Sequence, residues 1–494
     1  GNPRLVVGTN AGVLHMFEDN STLNSVTENW AYLPNELFKN IKPLRENAIT
    51  VDNKVYGLDG EITLHINDAN NDGIVNNSDT AWLFFGLRRG GRSYYALDVT
   101  TPSTPKLMWK IDATSTGVNS FSKLGQTWSK PQVVRSELND DDADKLVVVF
   151  GGGYDTKKDG TGPNTHSDDN GAAIYMVNAR TGALIFKKET GSNNGIASSI
   201  ATLDSDSDAF VDRLYVGDTG GDVWRIDIPD DDQDNTSIIK LASVGGTTDA
   251  VDRRFFNKPS IVRTYLLETI NTGTESEPYV IKQEIPYDAI LIGTGDRATP
   301  TAIDTDDMFF MIKDKYIETQ QLDALTPAIA PITLSQLYNY TNNPFQGYPT
   351  LTTEQEGKLV EASLKQGWYF NLALPGEQNS AEAIVINNVV YFTSYSPAPE
   401  STCSVTPGDA WLYAIDLALG IKKYNWSTES DNREDRIKHI GSQFLGTPTL
   451  ISTEVTDVDT GETSLQGDII VGKEIIPVGF TLQTMRTSLT ILEN

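Results

Sequence analysis

What most constrains this chain is a pair of apolar strands joined by a turn of small or polar residues, met again and again along its length. Residues 5–18 read LVVGTNAGVLHMFE, 213–227 read RLYVGDTGGDVWRID and 411–424 read WLYAIDLALGIKKY. Two further copies are split by insertions: 82–111, and 146–150 followed by 173–187 around the turn 178–183. A lone hairpin is barely stable in water, so repeated hairpins must bury their faces on one another. A second marker is a proline that opens an apolar run, at Pro131, Pro259 and Pro448. Proline donates no ladder hydrogen bond and is tolerated at a strand's first residue. The runs 289–296 (AILIGTGD) and 468–473 (DIIVGK) add strands at similar stations. Together these predict an all-β fold, a modified β-propeller of about seven four-stranded blades with long insertions. One propeller domain is expected over residues 1–494. Helix is expected only at 33–38 and its continuation, 333–340 and 353–366, and the polar stretches 155–171 and 229–235 read as exposed, solvated loops.

Charge and cysteine content remove several functions. The chain carries 39 Lys and Arg against 67 Asp and Glu, a net charge of −28. Such acidity argues against nucleic acid, where basic side chains must replace phosphate counterions, and suits an exterior surface or one that gathers divalent cations. The single cysteine, Cys403, leaves no intrachain disulfide and no Cys-rich zinc site, and His15, His65, His166 and His439 are scattered without an HExxH pattern. No window approaches the roughly 20 apolar residues of a membrane span. The start, Gly-Asn-Pro-Arg, is no signal peptide and a strand follows at once, so the sequence reads as a piece of a longer protein.

Two acidic loops carry metal-ligand spacing. Asp204, Asp206, Asp208 and Asp212 stand at positions 1, 3, 5 and 9, with the Phe210 carbonyl at 7. Calcium accepts six to eight oxygens in flexible geometry and is the natural occupant. Asp-rich turns also form without an ion, but crowded acids repel one another unless neutralised. The second loop, 68–79, places Asp68, Asn70 and Asp72 at 1, 3 and 5, Gly73 at 6, the Ile74 carbonyl at 7, Asn76 at 9 and Asp79 at 12. This is similar to the loops of EF-hands and dockerins, with Asp in place of the EF-hand Glu at 12. A third run, 140–144, lacks a closing acid and reads as a solvated turn.

The opening GTNAGVLHMFE with Trp30-Ala-Tyr-Leu-Pro-Asn35, Gly86-Leu-Arg-Arg-Gly-Gly91 with Tyr95-Ala-Leu-Asp98, Val149-Phe-Gly-Gly-Gly-Tyr154, and Asp212-Arg-Leu-Tyr-Val-Gly-Asp218 with Trp224-Arg225 together resemble one family. It is the C-terminal domain of the PilC/PilY type IV pilus tip adhesin and biogenesis proteins. The resemblance implies a secreted protein, exported through the periplasm to the pilus tip or outer cell surface, with roles in pilus biogenesis, twitching motility and adhesion. It implies calcium at Asp204, Asp206, Asp208, Phe210 and Asp212, governing extension against retraction. Partners are then minor pilins or the tip complex and a host or abiotic surface.

Arg88, Arg89 and Arg92 form a basic cluster whose expected role is pairing with acidic loops, reception of an anionic partner being the alternative. The competing functional classes are a quinone-dependent dehydrogenase-like propeller enzyme and a passive scaffold for outer-membrane assembly, for which the metal loops have no clear use. Such enzymes set a vicinal disulfide against the quinone, which one cysteine cannot form.

Overall fold

The computed structural model describes residues 2–482 apart from 21, 48–53, 77, 115–119, 161–166, 230–231, 272–279, 399–406, 427–435 and 457–462. Cys403 and His166 lie outside the described residues. The strands group into seven sheets that follow one another along the chain, in agreement with the propeller expected from the repeats. Blade 1 contains Arg4–Gly8, Leu14–Asn20 and Ser25–Tyr32, and blade 2 Ile62–Asn67, Thr80–Gly86, Ser93–Asp98 and Lys106–Asp112. Blade 3 contains Gln132–Arg135, Leu146–Gly151, Ala173–Asn178 and Leu184–Glu189. Blade 4 runs Ala201–Leu203, Arg213–Gly217, Asp222–Asp227 and Ser237–Ser243, with Ile332–Thr333 added in parallel at its edge. Blade 5 is built on Ser260–Asn271, Val280–Gly293, Met308–Asp314 and Gly367–Asn371, with Tyr338–Asn339 at its edge. Blade 6 is built on Gln378–Asn379 and Ile384–Ile386, both paired with Val389–Ser396, then Asp409–Asp416 and Ile437–Gly441, and blade 7 on Thr449–Thr456, Thr463–Val471 and Glu474–Leu482.

The reason for stacking is visible in single strands. In Leu146–Gly151, Val147 and Val149 enter the core shared with blade 4, while Val148 and Phe150 enter the core shared with blade 2. In Val280–Gly293, Ile290 and Ile292 face blade 4 and Ala289 and Leu291 face blade 6. Continuous apolar runs therefore serve two neighbours at once, as in any sheet covered on both faces. Cores of this kind fill all six gaps between successive blades. Among the described residues none joins blade 7 to blade 1, and Leu5 and Ile475 are each 62% exposed.

Most hairpins pair as read, including Arg4 opposite Glu18 and Arg213 opposite Asp227. The turn 178–183 closes through the Asn178 side chain, which accepts from the N–H groups of Arg180 and Thr181. Pro131, Pro259 and Pro448 each stand one residue before the first strand of a blade.

Three expectations fail for physical reasons. The returning arm of 411–424 makes only an isolated bridge, Ile415 to Lys422, because the edge of Asp409–Asp416 is taken by Ile437–Gly441. Helix at 333–340 shrinks to one 3-10 turn, Leu334–Gln336, because the residues on either side pair with blades 4 and 5. The stretch 155–171 is not simply solvated: Lys158 is 2% exposed and donates to Asn194 Oδ1 at 2.7 Å and to the Thr219 carbonyl at 3.0 Å. The helix Thr353–Leu364 forms as expected, under a capping box of Thr352 and Gln355.

In the core between blades 5 and 6, Phe309 and Phe392 stack with centroids 3.8 Å apart and planes 3° from parallel. Phe309→Ala removes a ring that neither blade can replace. It is expected to lower stability by about 3–5 kcal/mol. Urea unfolding measures this as a lower midpoint with an unchanged slope, and an unchanged midpoint refutes the shared core.

Candidate metal centre

All three acidic runs occupy one station, the connection from the first to the second strand, in blades 2, 3 and 4 in turn. They leave the far end of strands whose beginnings lie at the middle of the molecule. Their side chains are nevertheless used in different ways.

In the blade 4 loop, Asp204, Asp206 and Asp208 each offer a carboxylate oxygen within 4.8 Å of the others, and all three are exposed. Hydrogen bonds from the backbone shape the turn: Asp204 accepts from Ser207 N at 2.6 Å and Ala209 N at 2.9 Å, and Asp208 accepts from Phe210 N at 2.8 Å. The Asp206 carboxyl, though exposed, is held above its usual range by partial loss of solvent within the turn and then by the like charges of Asp212, Asp208 and Asp204. Asp212 is not among the convergent oxygens. Its carboxylate accepts instead from the N–H of Ser205 at 2.5 Å and from its hydroxyl at 2.7 Å. The oxygens that do converge are hard donors and suit calcium rather than a soft metal.

The blade 2 loop has the same internal logic. Asp68 accepts from Asp72 N and Gly73 N, and Asp72 accepts from Ile74 N at 2.7 Å, as Asp208 does from Phe210. Asn70 and Asn76 donate to Asp72 Oδ2 at 3.0 and 3.2 Å. Asp79, 4% exposed, ties the ends by accepting from Ala69 N at 2.9 Å and Asn76 N at 2.7 Å. Among the described residues its three acids do not converge as those of blade 4 do. In blade 3, Arg180 pairs with Asp142 at 3.3 Å and Asp144 at 3.5 Å, and Lys145 with Asp140 at 2.7 Å. Protein cations neutralise these acids, but Asp142 is 6% exposed, so the turn is less solvated than its sequence suggests.

A buried ionic network fixes the blade 4 loop, and the sequence reading missed it. Arg213 donates to Asp288 at 2.8 Å, Arg225 to Asp314 at 2.7 Å and to Asp227 at 2.5 Å, and Arg263 to Asp288 at 2.9 Å. Three guanidinium groups thus meet three carboxylates between blades 4 and 5. Burial beside Asp314 holds the Tyr215 hydroxyl protonated, and it donates to that carboxylate at 2.8 Å. The network reaches the loop through Arg263, which donates to the Ser205 carbonyl at 3.4 Å, and the Ser205 hydroxyl meets that of Thr319 at 3.2 Å. Charged residues inside the apolar strands 213–217 and 222–227 were its sequence signal. Of the basic cluster, Arg89 pairs with Asp159 at 2.7 Å, Arg92 donates to Asn170 at 2.8 Å, and Arg88 has Asp59 at 3.5 Å.

A family model described as the PilY1 beta-propeller domain matches residues 1–295. The type IV pilus biogenesis factor PilY1 of Pseudomonas aeruginosa (strain UCBPP-PA14) is 33% identical over 248 residues, which are 48% of this chain and 18% of that protein. A PilY1 homolog of Xylella fastidiosa (strain Temecula1 / ATCC 700964) is 26% identical over 444 residues, 84% of this chain and 26% of that protein. The chain therefore spans a minor part of the length of these relatives. The crystal structure of the Pseudomonas aeruginosa PilY1 C-terminal domain matches with a TM-score of 0.60 at 20% identity, covering 96% of this chain and 92% of that one, a likeness of fold.

The two loops differ at position 6. Gly73 has φ +75° with open space around it, whereas Ala209 holds the same φ with a side chain. Ala209→Gly is expected to raise stability by about 0.5–1 kcal/mol, and Gly73→Ala to lower it by about 1 kcal/mol. Urea midpoints of the two variants decide; shifts of the same sign contradict the shared geometry.

Proposed function

The chain belongs to the PilY1 β-propeller domain family, and on that premise we propose that it is the calcium-binding propeller of a type IV pilus biogenesis factor. The observation that carries the metal is the convergence of Asp204, Asp206 and Asp208 on a loop whose Ser205 carbonyl accepts from Arg263, which in turn pairs with the buried Asp288. These three carboxylates and the Phe210 carbonyl would hold calcium, with Asp212 joining by giving up Ser205. The blade 2 loop would hold a second ion through Asp68, Asn70, Asp72, the Ile74 carbonyl and Asp79. An ion bound to the folded loop and not to the unfolded chain adds about 2.7 kcal/mol at a hundredfold excess over Kd. Extracellular calcium thereby sets the order of one surface loop, and that order biases the pilus towards extension or retraction. Adhesion, twitching motility, a place at the pilus tip and contact with minor pilins belong to this same reading.

Calorimetry tests the metal. Asp208→Asn keeps the shape of the side chain and removes a charge, and it is expected to weaken calcium binding at one site by about tenfold or more. Asp68 and Asp72 changed together to Asn remove the other site and leave the first unchanged. Unaltered isotherms in both variants refute the two-site assignment.

In cells, Asp208→Asn in the full-length protein is expected to change surface piliation and twitching. If both are normal while the variant is folded, exported and calcium-free at this loop, calcium is only a structural ion there.

A further inference from the structure

The first strands of blades 2 to 7 begin around a cavity of about 580 Å³. A repeated sequence station builds its wall: Trp128-Ser-Lys130-Pro131, Phe256-Asn-Lys258-Pro259 and Leu445-Gly-Thr447-Pro448. In each the residue before the proline lies on the cavity, and Trp128 and Phe256, each 8% exposed, line it with ring centroids 5.3 Å apart. Arg88 and Arg297 complete the lining. A chain of net charge −28 thus places four cations against two carboxylates, Glu61 and Glu382, around its central space.

Those charges are unequally matched. Lys130 has Glu61 at 3.9 Å and Lys258 has Glu382 at 3.2 Å. Arg88 has Asp59 at 3.5 Å and lies 4.2 Å over the Trp128 ring. Arg297 makes one long hydrogen bond, 3.4 Å to the Ser380 carbonyl, and lies 5.2 Å over Phe444. Among the described residues it enters no ion pair. Burial, and then the charge of Arg297, pull the Arg88 guanidinium down to about 10, while Asp59 and Glu61 act the other way.

We propose that this cavity is a binding site for a single carboxylate, held by Arg297 and Arg88, with the ligand's carbon skeleton against Trp128 and Phe256. The planar fork of arginine matches a carboxylate with two parallel hydrogen bonds. One negative charge balances the unpaired guanidinium, whereas a dianion such as phosphate meets repulsion from Glu61 and Glu382. Aromatic walls favour an apolar group beside the carboxylate. Two sources offer that chemistry, a free aryl-alkanoic acid and the C-terminal carboxylate of a chain ending in an aromatic residue.

Calorimetry on the purified chain with 3-phenylpropionate, the peptide Gly-Gly-Phe, its C-terminal amide and inorganic phosphate tests the site. At least one of the two carboxylates is expected to bind, with the amide and phosphate weaker by about tenfold or more. Tighter binding of the peptide identifies a chain end, and tighter binding of the acid a small molecule. Arg297→Gln, which gives up one long hydrogen bond, is expected to keep the thermal unfolding midpoint and to lose about tenfold or more in affinity. Glu382→Gln, which removes a flanking negative charge, is expected to bind several-fold tighter, so the site is testable even where the arginine variant misfolds. Failure of both carboxylates to bind, binding of the amide or of phosphate as tight as that of the tighter carboxylate, or wild-type affinity in Arg297→Gln overturns the proposal.

Discussion

Burial of both faces of each sheet governs this molecule, because a blade lying between two neighbours has no solvent side on which to leave a polar group. Residues 147–150 show the consequence at its smallest scale: alternate side chains feed opposite cores and every one is fully buried. Any charge entering such a strand must be neutralised within the interior, where leaving it unpaired costs several kcal/mol. Arg213, Arg225 and Asp227 enter on those terms: Arg225 pairs with Asp227 on its own strand, and Asp288 and Asp314 of the next blade meet Arg213 and Arg225, with Asp288 also holding Arg263.

That network joins the scaffold to the surface. Asp288 serves Arg213 inside and Arg263 at the edge, and Arg263 touches the carbonyl of Ser205 in the acidic loop. Phe210 is held from the other side by the Arg135 guanidinium 5.0 Å over its ring. The three exposed carboxylates therefore sit on a turn that touches blade 5 through Arg263 and blade 3 through Arg135.

The sequence revealed what depends on local pattern. Hairpins, proline-led strands and the spacing of Asp204, Asp206 and Asp208 were legible because period-two alternation and turn chemistry are local. Distant partners were not. Nothing in 155–171 announces that Lys158 is buried against Asn194 and Thr219, and nothing near Asp212 says that its carboxylate turns to Ser205. Arg180 belongs to a turn that was read correctly, yet its pairing with Asp142 and Asp144 depends on the two paired strands between them, Leu146–Gly151 and Ala173–Asn178. The lysines before Pro131 and Pro259 were seen only as strand starts, because their common position at the cavity appears once the blades are set around it.

Blades 1 and 7, among the described residues, share no core, and each has three strands where the blades between them have four or five. Each is held by one neighbour instead of two. Amide protection against hydrogen exchange should therefore grade along the chain, lowest in the two terminal blades and highest beside the ion pairs of blades 4 and 5. The acidic loop of blade 4 then lies in the part whose amides exchange last.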